Sequence, residues 1–460
     1  MMTSLLRLGF LAAVCLAAVP APAGGDDAAA ATVRLFADPT LARLVDESLT
    51  NRPELEQADA RVAAARDQAA SAAALPDPML TLGLQNDGFA GLQVGKMETS
   101  YFSIMAQQTF PWPGKRGLRR GIQGEDARQG EAERARVKLQ ITADVRRAYV
   151  DLLLVREQLT LQGDLETLWR EAAGQATARY ETGAGVQADV LRAQLETTRL
   201  KQRRWALEAE ERRQVEILNR FRNAPLASPV TTATRLASLE VPALPDVAQA
   251  VTQAETQSPE LSRARAAITA ARGAASLAKK DYLPDYTLSA ALMPRGGDFP
   301  TMWQLGVGVT LPLWAAQKQG REVSAANARA YGEERGAEAV RQILRQRVAE
   351  RITLLSSLID SWRLYRGGLL VQSSATAEST LAQYRVGNVT FAAVLEALAG
   401  YVNDANGYYE TVASAERLLI AMDEVSLDSP GASAVMGAPA MPAAAPAAAS
   451  GRGRRGAPGM

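Results

Sequence analysis

The sequence predicts a mainly α-helical chain with a β-barrel contribution. Two tandem copies of one long coiled-coil hairpin each carry a pair of membrane-facing strands. Three observations predict this: an apolar export segment at the N-terminus, landmarks that recur in order in both halves, and short runs of strictly alternating polarity beside very long heptad patterns.

Composition limits the chemistry first. The 460 residues carry 51 Lys and Arg against 50 Asp and Glu, a formal net charge of +1. No global field draws such a chain to nucleic acid, and none is expected as a partner. There is no histidine, and the one cysteine is Cys15. Ser-His and Cys-His catalysis, His-ligated metals and the usual zinc sites are excluded for the mature chain, as are disulfides. Carboxylate chemistry and Met ligation of a soft metal stay open.

Met1 to Arg7 is a short basic segment, and Leu8 to Val19 is apolar over the length of a signal peptide core. Ala21-Pro22-Ala23 supplies small residues at the cleavage positions, so residues 1–23 are expected to be removed. Lipid attachment at Cys15 is the competing reading, and Val14, too large for the position before a lipidated cysteine, argues against it. The apolar stretch is too short to span a bilayer. Residues 24–40 read as a linker.

The repeat is the strongest signal. Pro53-Glu54-Leu55 recurs as Pro259-Glu260-Leu261, Ala65-Arg66 as Ala271-Arg272, and Leu75-Pro76-Asp77 as Leu283-Pro284-Asp285. Phe110-Pro111-Trp112 recurs as Leu311-Pro312-Leu313. Tyr180 and Gly183 recur as Tyr384 and Gly387, followed by Val190-Leu191 and Val394-Leu395. Units of this length are a duplicated domain, 41–223 and 246–426, joined by a linker at 224–245, and not a solenoid. The Ala-, Pro- and Gly-rich tail, 427–460, lacks the apolar content to fold.

Each copy has the same internal order. A helix over 41–74, or 246–281, stops before Pro76 or Pro284. Two strands follow, then one long helix over 116–180 or 318–384, a Gly-containing turn, and a return helix over 187–222 or 390–425. Val137, Ile141, Val145, Ala148, Leu152, Val155 and Leu159 keep coiled-coil spacing. Val340, Leu344, Val348, Leu355, Leu358 and Trp362 do the same in the second copy. Sixty such residues reach about 90 Å at 1.5 Å per residue, the length of a rod or tube wall.

The strands alternate with period two. Leu80, Leu82 and Leu84 oppose Thr81, Gly83 and Gln85; Phe102, Ile104, Ala106 and Phe110 oppose Ser103, Gln107 and Thr109. Tyr286, Leu288, Ala290 and Leu292 alternate with Thr287, Ser289 and Ala291, and every odd position from Trp303 to Leu311 is apolar. Half-buried soluble strands share this pattern. In an exported chain with Tyr101 and Trp303 at strand ends, it reads as a lipid face backed by a wet lumen. Four strands cannot close a barrel, and lipid tolerates no open edge. Three chains supply twelve strands.

Taken together, these residues resemble the outer membrane efflux protein family, the TolC-like channels. The likeness covers about 41–425 and rests on the duplicated order, the Leu-Pro-Asp segments, Tyr180-x-x-Gly183, and Asp189-Val190-Leu191-Arg192-Ala193-Gln194. It implies a homotrimer in outer membrane lipid, with a twelve-stranded barrel continuous with a periplasmic helical tunnel. It also implies a periplasmic adaptor and an inner-membrane resistance-nodulation-division pump as partners, no enzymatic activity and no cofactor. Pro76-Asp77-Pro78 and Phe110 to Arg116 resemble the heavy-metal branch, which implies export of copper and silver, or of zinc, cobalt and cadmium. Organic drugs or solvents are the alternative cargo. A periplasmic coiled-coil scaffold without a pore and a carboxylate-dependent exported enzyme are the alternative classes.

The resemblance implies adaptor docking at two helical tips, 180–191 and 384–395, carrying Tyr180, Gly183, Asp189, Leu191, Tyr384, Gly387 and Leu395. An ordinary turn is the alternative for the glycines, and helix capping explains Asp189 equally well. The family's acidic gate positions match Ala393 and Glu396, so one acid is missing, and Asp404 lies two turns on. Three copies of Glu396 can ring a pore, or Glu396 is simply solvated. Met293 and Met302 flank a hairpin but do not make a copper site.

Overall fold

The computed structural model describes residues 35–89 and 91–427. The signal segment with Cys15, most of the N-terminal linker and the tail from Asp428 lie outside them. Each copy's first helix is a pair: α1 (Pro39–Asn51) with α2 (Pro53–Ser71), and α5 (Val247–Gln257) with α6 (Pro259–Lys280). This corrects the expectation of one helix per copy. Pro53 and Pro259 hold the preceding residues, Arg52 and Ser258, in extended backbone and open a new helix at its first position. The sheet strands are β1 (Met79–Gln85), β2 (Tyr101–Phe110), β3 (Tyr286–Met293) and β4 (Met302–Val309). The long helix of the first copy is α3 (Lys115–Glu181), 67 residues or about 100 Å, and α4 (Gln187–Phe221) returns.

In the second copy the long helix is not continuous α-helix. A π-helical turn, Tyr365–Leu369, separates α7 (Gln319–Leu364) from α8 (Leu370–Arg385), and α9 (Phe391–Asp423) returns. The two copies explain the turn. Val137, Val145, Leu152 and Leu159 match Val340, Val348, Leu355 and Trp362, but Tyr180 and Gly183 match Tyr384 and Gly387. The second copy is therefore one residue longer between Trp362 and Tyr384. A π-turn absorbs one extra residue while keeping the helix axis. The amide of Leu370 bonds the carbonyl of Tyr365, five residues back.

Duplication shows in the packing as well. α2 and α6 lie on α3 and α7 respectively. Arg66 pairs with Glu131 at 2.6 Å in the first copy, and Arg272 with Glu334 at 2.6 Å in the second. Such exposed pairs stabilise little, but their recurrence marks the same helix register in both halves.

The main core sits where α1, α3, α4, α7 and α9 meet. Here α3 exceeds its heptad seam: Tyr149, Val150, Leu153 and Leu154 are buried along with Val145 and Leu152. A helix wrapped on all sides buries more than one stripe. The wrapping includes the stretch expected to be a linker, 224–245. Val230, Leu236 and Leu239 are buried in the core, and Arg235 makes a two-pronged bond to the buried Glu157 at 2.7 and 3.1 Å. At the other side Asp38 caps α1 by accepting from the Thr40 amide and from the Tyr149 hydroxyl at 2.6 Å. These bonds outweigh burial and hold the Asp38 carboxyl below the ordinary range.

Glu416 lies in this core on α9, 4% exposed. Burial pushes its carboxyl up to about 7. A folded-state value above the unfolded one means the folded chain binds the proton more tightly. The contribution is complete below pH ~4.5, the unfolded range, and is lost as pH rises through about 7. Glu416→Gln is expected to raise the thermal midpoint at pH 8, by an amount on the order of 3 kcal/mol in stability. At pH 4 it should change little. Melting curves at the two pH values check this, and an equal effect at both would contradict it.

Among the described residues no helix is long and apolar enough to cross a membrane. The sheet is the candidate for that.

Candidate functional site

The four strands form one antiparallel meander in the order β1-β2-β3-β4. Register puts Leu80, Leu82 and Leu84 opposite Ala106, Ile104 and Phe102. Ala106 and Ile104 then face Ala290 and Leu292, which face Leu305 and Trp303. The runs read separately in the sequence thus merge into one apolar surface. Its members are exposed: Leu82, Leu305 and Val307 are each 72% accessible and Trp303 71%. An apolar surface of this extent requires lipid or a partner. The opposite face carries Thr81, Ser103, Gln107, Thr109, Thr287, Ser289 and Gln304.

Met79, Met105, Met293 and Met302 lie on that opposite face, and one polar residue stands on the apolar face. Gln108 falls on the apolar face, beside Leu288. Its amide turns to the end of the sheet and donates to the carbonyls of Pro76 at 2.7 Å and Thr109 at 3.0 Å. At the far end, the β1–β2 and β3–β4 loops hold each other. Buried Arg295 bonds Pro300 O and Glu98, and the Gly95 amide donates to Arg295 O at 2.7 Å.

The joint between sheet and helices is built by the segment Phe110 to Arg116. Gly114 takes φ 91°, which a side chain resists, and a Cβ there would meet Lys280. Lys115 then opens α3, only 3% exposed. A cation at a helix N-terminus opposes the dipole, and two acids of the other copy compensate. Its Nζ lies 3.0 Å from Asp285 and 3.2 Å from Asp281, and donates to Leu283 O at 3.0 Å. Asp285 also accepts from the Trp112 amide at 2.7 Å, while the Trp112 ring stacks on Tyr286. The Leu283-Pro284-Asp285 motif is therefore the receptor for the strand-to-helix joint of the first copy.

At the far end of the hairpins the two tips come together. Gly183 and Gly387 adopt φ 76° and 80°, as their turns require. Tyr384 is buried, packs on Phe391, and lies beneath the Arg179 guanidinium. Arg179 reaches from the first tip to donate to Tyr384 O in the second, and to Ala184 O in its own turn. Burial raises the Tyr384 hydroxyl's pKa, and the nearby Asp189 carboxylate raises it further. So Tyr384, Gly387 and Asp189 share one cluster. Tyr180 and Leu191 point away and are about half exposed. Leu395 is half-buried, and Glu396 is exposed on α9. Asp404 lies elsewhere, close enough to Tyr365 at the π-turn to raise its hydroxyl's pKa, after burial itself. Glu396 directly follows the tip residue Leu395 on α9, whereas Asp404 lies further along that helix, away from the tip. Arg179 escaped sequence reasoning because its repeat mate is Gln383, so no recurrence marks it. Among the described residues no cluster of three His, Cys, Asp or Glu could hold a metal.

The chain thus carries an open sheet with one continuous apolar face on two helical hairpins joined at their tips. A model of the outer membrane efflux protein family matches residues 44–224 and 250–407, and the chain belongs to that family of transport channels, which are not enzymes. Solved structures agree in fold. The outer-membrane channel OprN is 18% identical, with a TM-score of 0.67 over 85% of this chain and 90% of its own. CusC is 16% identical, with a TM-score of 0.69 over 85% and 93%. VceC of Vibrio cholerae is 17% identical, with a TM-score of 0.69 over 84% and 96%. No curated protein sequence matches the chain.

Proposed function

We propose that the chain is the outer membrane channel of a tripartite efflux system, a homotrimer that passively conducts cargo from a periplasmic adaptor and an inner-membrane pump to the exterior. The observation that carries this reading is the open four-stranded sheet with its continuous apolar face. β1 and β4 each leave an edge unpaired, and they run in opposite directions, so copies can join edge to edge as an antiparallel barrel. Three copies give twelve strands, within the range of known barrels. Residues 1–23 direct export. The tips with Tyr180, Gly183, Asp189, Leu191, Tyr384, Gly387 and Leu395 meet the adaptor. Glu396 rings the pore in three copies and favours cations, and Asp404 acts nearer the π-turn.

For the cargo we favour heavy-metal ions, supported by the resemblance of Pro76-Asp77-Pro78 and Phe110 to Arg116 to the metal-export branch. Organic drugs are the second reading. The observation favouring it is that Trp112, Gly114 and Lys115 are occupied in the strand-to-helix joint, a task any cargo would leave unchanged. Growth of a deletion strain on graded copper, silver, zinc, cobalt and cadmium, beside drugs and detergents, separates the two. Sensitivity confined to metals is expected. Sensitivity to drugs alone would overturn the cargo and keep the channel.

A further inference from the structure

The internal duplication carries an inference about which residues join neighbouring copies, resting on the trimeric reading above. Within the chain, α3 of the first copy packs both on its own α2 and on α6 of the second. The long helix of the second copy, α7, packs on its own α6, and among the described residues it has no comparable contact with α2. If the second copy follows the first around a ring, then the first copy of the next chain must follow the second. The outer flank of α7 faces α2 of that neighbour as α3 faces α6.

Burial of repeat-related residues fits this. In each pair, the member on the seam inside the chain is covered and its mate on the outer flank is bare. Tyr384 is 2% exposed in the seam, while its mate Tyr180 is 48% exposed. Tyr409 packs half-buried against the core, while its mate Trp205 stands 67% exposed on α4. Asp285 receives Lys115 at 3.0 Å inside the chain. Its mate is Asp77, which is exposed, and the mate of Lys115 in the long-helix register is Lys318, also exposed and immediately before α7. A buried cation with an acid receptor in one seam, and the same cation and acid left open on two outer flanks, are complementary halves of one contact.

We infer that Lys318 of each copy latches onto Asp77 of the next, repeating between chains the Lys115–Asp285 contact within the chain, and that Trp205 and Tyr180 are covered by the same interface. The occupant of both flanks is a second copy of this chain.

Cross-linking tests the inference. In a Cys15→Ala background, the full chain carrying Asp77→Cys and Lys318→Cys is treated with a short bis-maleimide, with each single variant as control. Covalent dimers and trimers from the double variant, and none from the singles, are expected. Trimers whose two cysteines accept a simple maleimide yet never link between chains would overturn the latch while leaving the trimer standing. An unmodified chain that is monomeric in the membrane would remove the trimeric reading itself. Charge reversal gives a second readout. Asp77→Lys and Lys318→Asp should each lower the temperature at which trimers dissociate on gels, and the double reversal should restore it. Single reversals as stable as the parent would count against the latch.

Discussion

Leu305→Arg is expected to abolish assembly in the outer membrane, whereas Gln304→Arg, one position earlier, should leave it intact. Both residues are exposed in the chain, so solvent accessibility does not distinguish them. Register does. Leu305 pairs with Ala290 on the apolar face, and Gln304 pairs with Ala291 on the other. Leu305 lies midway along β4. A guanidinium at the bilayer midplane costs about 2–4 kcal/mol, and a ring of three copies meets that cost three times. On the lumen face the same charge meets water. Heat-modifiable trimers in outer membrane fractions report the outcome. Equal impairment by both variants would mean that the Gln304 face is packed away from water and does not line a wet lumen.

Lys115→Met should destabilise the chain by about 3 kcal/mol, the lower end of what removal of one member of a buried ion pair costs. The lower end applies because the acids are partly accessible, Asp285 at 29% and Asp281 at 39%. Removing the ammonium leaves two carboxylates close together with no cation between them, and deprives Leu283 O of its donor. Adding Asp285→Asn to Lys115→Met should recover part of the loss, because the repulsion then disappears. Thermal melts of the detergent-solubilised chain followed by circular dichroism check both. A Lys115→Met chain as stable as the parent would show that the joint is held by backbone and ring contacts alone.

The architecture was legible because duplication multiplies weak signals. Alternation in one strand is ambiguous, but alternation recurring at matched places beside two matched heptad runs leaves few folds. The helix breaks at Arg52 and Ser258 were missed although Pro53 and Pro259 were among the recurring landmarks. Recurrence marks these prolines as repeat landmarks, and the same residues open α2 and α6 at their first position. The π-turn was hidden in the shift between matched residues on either side of it, which shows only when the two halves are aligned within the helix. The packed course of 224–245 had no periodic signature, because Arg235 and Leu236 find their partners across space. At the tips, glycines and tyrosines were visible as repeats. Arg179 was not, since its contact to Tyr384 joins the copies without being duplicated in both.

On the trimeric reading this chain completes its sheet only with other copies of itself in lipid. Electron cryo-microscopy of the full chain purified from outer membranes into lipid nanodiscs tests it most directly. A three-fold particle with a closed barrel of twelve strands, four per chain, and a helical tube beneath it is expected. A single chain, or a helical assembly whose strands lie outside the bilayer, would contradict it.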